Sequence, residues 1–337
     1  MKRFYFIIPL VALMAILFAL PFMIGFSSYD LYLMYLIFLL VVITVAWDLA
    51  GGLAGLFSLG NAAFFGMGAY MTAILVKDGF NLYLSILAAG LLAIGIGTIL
   101  SVAIRLRGVY FLMSTFYLAS IIQILMLNWT SVTGGAAGLF LPVPSHFNYL
   151  RPFYISTVMM IAIIGSYYFL QRSRIGLALR AIGSDEGTAR SIGVNVTLYK
   201  VLALIFSAFF TGIMGGLYVS VQLFVDPNSA FAVTWSLYPT FGAIIGGMGT
   251  IWGGVIGGVL IALLTQLLAP LGSYNIILES VLLIAVILIM PAGIYGTLVK
   301  RFRRSERASP RQVTIKDQLQ MELRKMAASH PAEESRD

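Results

Sequence analysis

Long uncharged stretches, separated by short groups of charged residues, run through most of the chain. The uncharged stretches are 4–29, 31–47, 49–76, 79–104, 108–150, 152–171, 201–225, 227–278 and 280–299. A membrane-spanning helix needs about 20 mostly apolar residues, and the longest of these stretches have room for a loop or a second span. The pattern predicts an all-α polytopic membrane protein with about ten transmembrane helices, at residues 4–26, 31–50, 61–77, 82–104, 108–128, 152–171, 201–224, 233–249, 251–270 and 276–298.

The positions of the basic residues predict which side of the membrane each loop faces. Ten spans put both termini on one side, and Lys and Arg are enriched in short cytoplasmic loops. With both termini cytoplasmic, 19 of the 21 Lys and Arg residues lie inside, and only Lys77 and Arg151 lie outside. We therefore expect a multi-pass protein with both termini cytoplasmic.

The composition agrees with this interpretation and excludes several kinds of chemistry. Of 337 residues, 60% are hydrophobic and 10% are charged, whereas soluble domains carry about 25% charged residues. The chain has no cysteine and two distant histidines, His146 and His330, so we expect no thiol chemistry and no metal site. The dipeptide Gly-Lys does not occur, so the chain has no phosphate-binding P-loop. We predict that the chain is not an enzyme and has no catalytic residue.

A change of character near residue 300 divides the chain into two parts. Residues 1–299 are predicted to form the transmembrane domain, and residues 300–337 a charged cytoplasmic tail with 16 of the 34 charged residues. The basic residues that open the tail can attract anionic lipid. Apolar residues then recur at three- and four-residue spacing over 312–328, which fits an amphipathic helix. A disordered, solvated end fits equally well.

The longest polar stretch before the tail is the loop 172–200, between the sixth and seventh predicted spans. Ser184 is a good N-cap, Asp185 and Glu186 would lie in a first helical turn, and Gly193 can end a helix in the left-handed conformation. These residues predict a helix of about two turns. Because so short a helix is not stable alone in water, it must pack on its own bundle or on another protein. A solvated connector is the alternative.

Five stretches of the chain, taken together, carry a family resemblance. They are WDLAGGLAGLFSLGNAAFFGMGAY (47–70), TGGAAGLFLP (133–142), SRIGLALRAIGSDEGTARSIGVNVTLYK (173–200), GGMGTIWGGVIGG (246–258) and MPAGIYG (290–296). In this order, and with a compatible helix count, they resemble the permeases of branched-chain amino acid ABC importers of the LivH/LivM type. Within that family they look like the LivM-like subunit.

The resemblance implies a role for the loop 172–200. In that family the corresponding loop is a coupling helix, which sits in a cleft of a cytoplasmic ATPase. ATP is then used by partner subunits, and this chain binds no cofactor. The residues implied in ATPase coupling are Arg180, Ser184, Asp185, Glu186, Arg190 and Gly193. The chain departs from the family at Gly187, where a small helix former such as alanine is usual, so its ATPase contacts can differ.

The resemblance also implies partners, a location and a solute. The partners are a LivH-like permease, two cytoplasmic ATPase subunits (LivG/LivF-like), a periplasmic or tethered amino-acid-binding protein and membrane lipid, without nucleic acid. The location is the bacterial inner membrane. The solutes are leucine, isoleucine and valine; relatives that carry urea, short amides or other amino acids leave those solutes open. An ATP-independent secondary transporter or channel is a further alternative.

The first of two glycine-rich segments lies after the second predicted span. Irregular backbone at membrane depth is tolerated where it is buried in protein or lines a cavity, and broken helices of transporters direct polar groups at substrate. The segment supplies five candidates for the transport pathway, Gly55, Ser58, Gly60, Asn61 and Gly66. Helix packing is an equally good interpretation of these residues.

The second glycine-rich segment, 242–258, supplies two further pathway candidates, Gly246 and Gly249. Its small residues recur at a spacing that lets membrane helices approach closely. Helix packing is therefore the favoured interpretation of this segment.

Two acidic residues, Asp48 and Glu279, fall near the ends of predicted spans. An ionisable residue inside a membrane is commonly functional. Because both residues lie close to a membrane surface, we interpret them as wetted helix ends instead.

Overall fold

The computed structural model describes residues 21, 25–106, 108–142, 148–274, 278, 281 and 293–297. Two compact units divide the chain, residues 1–296 and 297–337, and of the second unit the structure describes Thr297 alone. The predicted first and last spans lie mostly outside the described residues, and the predicted tail lies wholly outside them.

The described residues of the first unit are mainly helical. The α-helices are α1 (Ser28–Asp48), α2 (Asn61–Lys77), α3 (Leu82–Leu100), α4 (Val109–Asn128), α5 (Leu150–Arg172), α6 (Arg174–Ser184), α7 (Glu186–Ser191), α8 (Val196–Gln222), α9 (Thr234–Gly246) and α10 (Ile251–Leu268). Shorter helical turns are the π-helical turn Leu49–Leu53, the α-turns Thr130–Thr133 and Pro227–Ala230, and the 3-10 turns Ser101–Arg105, Gly135–Ala137 and Ala269–Tyr274.

Six helical stretches within the described residues are long and apolar enough to cross a membrane. They are Ser28–Leu53, Leu82–Arg105, Val109–Asn128, Leu150–Arg172, Val196–Gln222 and Ile251–Leu271. Each coincides closely with a predicted span, and the chain is a multi-pass membrane protein. The helices α2 and α9 have 17 and 13 residues and are shorter. The total of ten spans and the side on which the termini lie stay predictions.

The helix α1 lies at the centre of the bundle. Its side chains from Leu39 onward are almost completely buried on every face. A helix that is apolar all round is typical of such a position. The helix α1 packs against the helices α5, α8, α9 and α10. A displacement of α1 would therefore also displace these helices.

Glycines let α2, α3 and α8 pack backbone against backbone. A Cβ atom on Gly68 would overlap the carbonyl oxygen of Gly212, and a Cβ atom on Gly215 would overlap that of Phe65. Gly212 also packs against Ala93 of α3. Small residues permit this close approach of membrane helices, and the three helices therefore form one tightly packed group.

A small antiparallel sheet closes the end of α8. Its strands are β1 (Leu139–Phe140) and β2 (Phe224–Val225), with Leu139 opposite Val225 and Phe140 opposite Phe224. The sheet joins the segment after α4 to the residues that leave α8. Leu139 and Val225 are buried against α2, so this segment is packed onto the bundle.

Candidate coupling site

The loop predicted to couple to an ATPase forms two helices, α6 and α7. Ser173 caps α6 by accepting a hydrogen bond from the Gly176 amide, and Leu179 and Ile182 are buried. The predicted two-turn helix corresponds to α7, and α6 is a helix that was not predicted. The signal for α6 is present in the sequence, because Ser173 is a good N-cap and the apolar residues that follow have helical spacing.

The helix α7 begins one residue later than the predicted N-cap implies. Asp185 has the extended backbone of an N-cap and accepts a hydrogen bond from the Thr188 amide. Hydrogen bonding with Thr188 lowers the pKa of the Asp185 carboxyl below its usual value. Ser184 is the last residue of α6, so its predicted capping role is wrong. Gly193 follows α7 with a φ of 84°, the left-handed conformation that the sequence predicts for it.

Glu186 holds α7 against the start of α8. Its carboxylate oxygens lie 3.0 Å from the Arg190 guanidinium and 2.7 Å from Lys200 Nζ. The Arg190 side chain is 59% exposed, and an exposed pair of this spacing contributes about 0.3–0.5 kcal/mol. The Lys200 side chain is only 11% exposed, and a buried cation without its partner is strongly unfavourable. The pair with Lys200 is therefore the stronger constraint.

The end of α6 packs on the π-helical turn that follows α1. A Cβ atom on Gly183 would lie 2.5 Å from the Leu53 carbonyl oxygen, and a Cβ atom on Gly55 would lie 3.5 Å from Gly183 Cα. On its other side the same turn touches the glycine-rich connection between α9 and α10, where Gly52 lies against the Gly249 amide. The π-helical turn thus lies between the loop and a second part of the bundle.

A chain of hydrogen bonds connects α6 with a buried carboxyl group. Arg180 Nη2 donates to the Gln171 carbonyl oxygen, and Gln171 Nε2 donates to the Gly249 carbonyl oxygen over 3.3 Å. The Gly249 amide donates to one oxygen of Asp48 and the Tyr167 hydroxyl donates to the other, each over 2.8 Å. These five residues are called the Asp48 network below.

Asp48 is completely buried, so the prediction of a wetted helix end is wrong for this residue. It is the last residue of α1, but Tyr167 of α5 and the connection around Gly249 cover it. A carboxyl group is buried only where hydrogen bonds replace its contacts with water. The other acidic residue of this prediction, Glu279, lies outside the described residues.

Three of the pathway candidates, Ser58, Gly60 and Asn61, lie together at the start of α2. The Ser58 carbonyl oxygen accepts a hydrogen bond from Trp47 Nε1 over 2.8 Å, and Ser58 Oγ accepts one from the Gly60 amide over 3.1 Å. Asn61 is 1% exposed, and its Nδ2 atom has no hydrogen-bond partner among the described residues. The chain is therefore held in an irregular conformation where the sequence predicts a break.

The other pathway candidates lie apart from this group. Gly66 lies further along α2 against the Phe231 ring, and Gly246 packs against the Gly253 carbonyl of α10. Gly55 belongs to the contact with α6 and Gly249 to the Asp48 network. The contact at Gly246 is of the packing kind favoured for its segment, and the pathway role of all seven candidates stays a prediction.

Comparison with known sequences decides the family. A sequence profile described as branched-chain amino acid transport system / permease component matches residues 30–291. The match covers most of the chain, including the coupling site. The chain belongs to this permease family.

Within the permease family the chain is LivM-like. It is 28% identical to the high-affinity branched-chain amino acid transport system permease protein LivM of Salmonella typhimurium, over 85% of this chain and 74% of the relative. The LivM protein of Escherichia coli is 27% identical over the same shares. The LivH permease of Salmonella typhimurium is 25% identical over 76% of this chain and 90% of its own length. No solved structure gives a significant match.

In this permease the structure joins residues that the sequence assigns to separate roles. Arg180, predicted for ATPase coupling, and Gly249, predicted for the pathway, are both bonded to Gln171. Sequence reasoning missed the functional interest of Asp48 and Tyr167. An acidic residue in an uncharged span is a sufficient signal for Asp48, whereas no pattern in the sequence points to Tyr167 as its partner.

Proposed function

We propose that this chain is the LivM-like permease subunit of an ATP-driven importer that moves leucine, isoleucine and valine across the bacterial inner membrane. Its partners are a LivH-like permease, two ATPase subunits of the LivG/LivF type and a periplasmic or tethered binding protein. Membership of the family supports this proposal. So do the LivM relatives, whose names specify branched-chain amino acid transport.

Two exposed apolar side chains on the coupling loop are the observation that most directly supports an ATPase partner. Leu177 in α6 and Ile192 after α7 are 71% and 70% exposed, although both lie outside the candidate spans. The charged side chains of Arg180 and Arg190 are exposed beside them. Large exposed apolar side chains with polar neighbours mark protein-binding surfaces. The loop is therefore suited to a protein partner in water.

The ten-span topology with cytoplasmic termini belongs to the same proposal. It places α6 and α7 in the cytoplasm, where ATP is available, and it leaves Lys77 and Arg151 outside. This arrangement follows the tendency of short cytoplasmic loops to carry the basic residues.

The contacts of the loop suggest how an ATPase drives transport. Closure of the two ATPases displaces α6, which presses on the π-helical turn through Gly183. That turn continues α1, and Asp48 ties α1 to α5 and to the connection between α9 and α10. Packed helices and hydrogen-bonded networks with two discrete arrangements transmit such displacements. The bundle then alternates between states open to opposite sides of the membrane.

Reconstitution with the partner subunits tests this function. We expect the complex in proteoliposomes to take up leucine only with ATP, and leucine-loaded binding protein to stimulate ATP hydrolysis. The variant Ile192→Asp should lose the ATPase subunits during purification. The control Phe140→Asp, at a position that is 74% exposed on β1, should keep them.

Two results would contradict the proposal in different ways. Leucine uptake without ATPases, driven by an ion gradient, would indicate a secondary transporter. ATP-dependent uptake of urea or short amides, without uptake of branched-chain amino acids, would overturn the solute and retain the transporter class.

A further inference from the structure

A pocket lies between α2, α4 and the segment that leads into α9. Its volume is about 150 Å³, and we call it the central pocket. Its apolar side chains include Phe116, Ala119, Phe231 and Val233. Its polar side chains are Ser120, Gln123 and Ser236. The pocket therefore has an apolar wall and a polar edge.

The central pocket lies about halfway along α4. With a rise of about 1.5 Å per residue, the lining stretch 116–123 lies roughly 10 to 21 Å from the start of a helix about 30 Å long. The polar edge of the pocket therefore lies away from both ends of α4.

Irregular backbone borders the central pocket at the start of α2. Residues 55–60 have no regular secondary structure. The Leu59 amide donates to Thr115 Oγ1 over 3.1 Å, and its carbonyl oxygen accepts from Ser236 Oγ over 2.7 Å. The Ala62 amide donates to Ser236 Oγ over 2.9 Å. These bonds hold the irregular segment 55–60 in place beside the pocket. Irregular backbone at membrane depth is tolerated where it lines a cavity.

Polar atoms near the pocket retain hydrogen-bonding capacity. Asn61, between the lining residues Leu59 and Ala62, is buried, and its Nδ2 atom has no partner among the described residues. The Gln123 amide nitrogen donates to Asn228 over 3.3 Å, and a primary amide has a second N–H and a carbonyl acceptor. A ligand with both donor and acceptor groups can satisfy such atoms.

We propose that the central pocket binds the transported solute during its passage, and that the solute is a zwitterionic amino acid with an aliphatic side chain. The aliphatic part contacts Phe116, Phe231 and Val233, and the charged groups lie at Ser120 and Gln123. At the share of about 30 Å³ that each water takes in the liquid, the volume holds roughly five waters. The apolar wall suits an aliphatic side chain, which urea lacks. The inference rests on the proposed function of amino acid import.

Filling the pocket tests the inference by transport. Ala119 is 5% exposed, and Ala119→Val and Ala119→Leu add increasing volume to the wall. We expect kcat/KM for leucine uptake by the reconstituted complex to fall progressively, by roughly tenfold or more for Ala119→Leu, with stimulated ATP hydrolysis retained. The control Leu91→Phe, at a 58% exposed position of α3, should transport normally. Normal leucine uptake by Ala119→Leu would overturn the inference.

A labelling experiment keeps the inference testable if the filled variants assemble poorly. The chain has no cysteine, so Ser120→Cys introduces a single thiol into this subunit at the pocket. In the complex with cysteine-free partners, leucine should slow its reaction with N-ethylmaleimide several-fold, and urea should not. Ser114→Cys, on the same helix but outside the lining, should react at the same rate with and without leucine.

The outcomes distinguish a failure of the pocket assignment from a failure of the proposed function. Absence of protection by leucine in a complex that imports leucine would overturn the pocket and leave the function standing. Equal slowing at both thiols would also overturn the pocket, because it reports a general rearrangement. A wild-type complex that imports no amino acid would contradict the proposed function itself.

Discussion

At the scale of single residues, Asp48 shows why a buried site can escape sequence reasoning. The residue is visible as an acid in an apolar span, but its meaning depends on Gly249, which lies 201 positions further along the chain. No periodicity links two residues at that distance. The helix pattern locates Asp48 near a span end, and only the packing of α5 and of the α9–α10 connection shows that water is excluded.

Removal of the Asp48 side chain should destabilise the bundle. Asp48→Ala leaves the Gly249 amide and the Tyr167 hydroxyl buried without an acceptor, and each such group costs about 1–3 kcal/mol. We expect the free energy of unfolding to fall by about 2–5 kcal/mol for Asp48→Ala and by about 1–2 kcal/mol for Tyr167→Phe. Denaturant unfolding of the purified chain in detergent micelles measures both.

Tyr110→Phe is the matched control for Tyr167→Phe, because Tyr110 is 78% exposed. Its free energy of unfolding should stay within about 0.5 kcal/mol of the wild-type value. If Tyr167→Phe is no more destabilising than this control, the hydrogen bond to Asp48 does not contribute to stability and the network is incidental.

The cap of α7 gives a second prediction at the residue scale. Asp185→Ala removes the acceptor for the Thr188 amide, so the amides of α7 should exchange with deuterium several-fold faster. Ser184→Ala should have little effect, because Ser184 ends α6 and caps nothing. Hydrogen exchange measured by mass spectrometry distinguishes the two. If exchange of the α7 amides increases more in Ser184→Ala than in Asp185→Ala, Ser184 is the N-cap, as the sequence predicts.

The same cap should depend on pH in a defined direction. The pKa of Asp185 is lower in the folded chain than its usual value, so its stabilisation is fully present above the unfolded pKa of about 3.9. That stabilisation is lost as the pH falls through the folded pKa. After correction for intrinsic exchange, α7 should keep constant protection between about pH 5 and 7. Asp185→Asn should reduce the loss of protection at lower pH.

At the scale of elements, the uncharged stretches locate helices well and their ends less well. The helix α2 has the predicted bounds, 61–77. The helix α8 begins at Val196 instead of residue 201, because Lys200 looks like a loop charge but is buried beside Glu186. Charge marks a loop only where the charged group is solvated. The π-helical turn after α1 has no comparable sequence signal.

The contact between α6 and the π-helical turn gives a prediction for coupling. Gly183→Ala would place a methyl group 2.5 Å from the Leu53 carbonyl oxygen, so α6 must shift away from the turn. We expect leucine uptake per ATP hydrolysed to fall roughly tenfold, with the ATPase subunits still bound. Parallel measurements of uptake and ATP hydrolysis in proteoliposomes give this ratio.

Gly187→Ala is the control within the same loop. A Cβ atom there meets only Asp185 Oδ1, at 3.5 Å, and alanine favours a helix by about 0.5–1 kcal/mol over glycine. This variant should couple at least as well as the wild type. Equal coupling in both variants would show that the contact of α6 with the turn does not transmit the motion.

At the scale of the whole molecule, the sequence identifies the class of protein and the position of the coupling loop. It identifies the residues of the solute path less completely. Apolar runs report which segments are buried in lipid or protein, and motifs such as the loop 172–200 are local in sequence. A path is formed where distant segments meet, as at the central pocket, whose lining comes from three separate regions. None of its lining residues is among the predicted pathway candidates, although Gly60 and Asn61 lie next to it in sequence.

The membrane topology is the remaining prediction at this scale, and the lack of cysteine makes it directly measurable. Asp78→Cys, after α2, should react with a membrane-impermeant maleimide on intact spheroplasts. Gly187→Cys in the coupling loop and Ser329→Cys in the tail should react only after permeabilisation, because ten spans put both on the cytoplasmic side. With nine or eleven spans the tail and the loop would lie on different sides or the basic residues would face outward, which the positive-inside tendency disfavours. Labelling of Ser329→Cys on intact spheroplasts, with Gly187→Cys unlabelled, would therefore refute the ten-span topology and leave the cytoplasmic coupling loop in place.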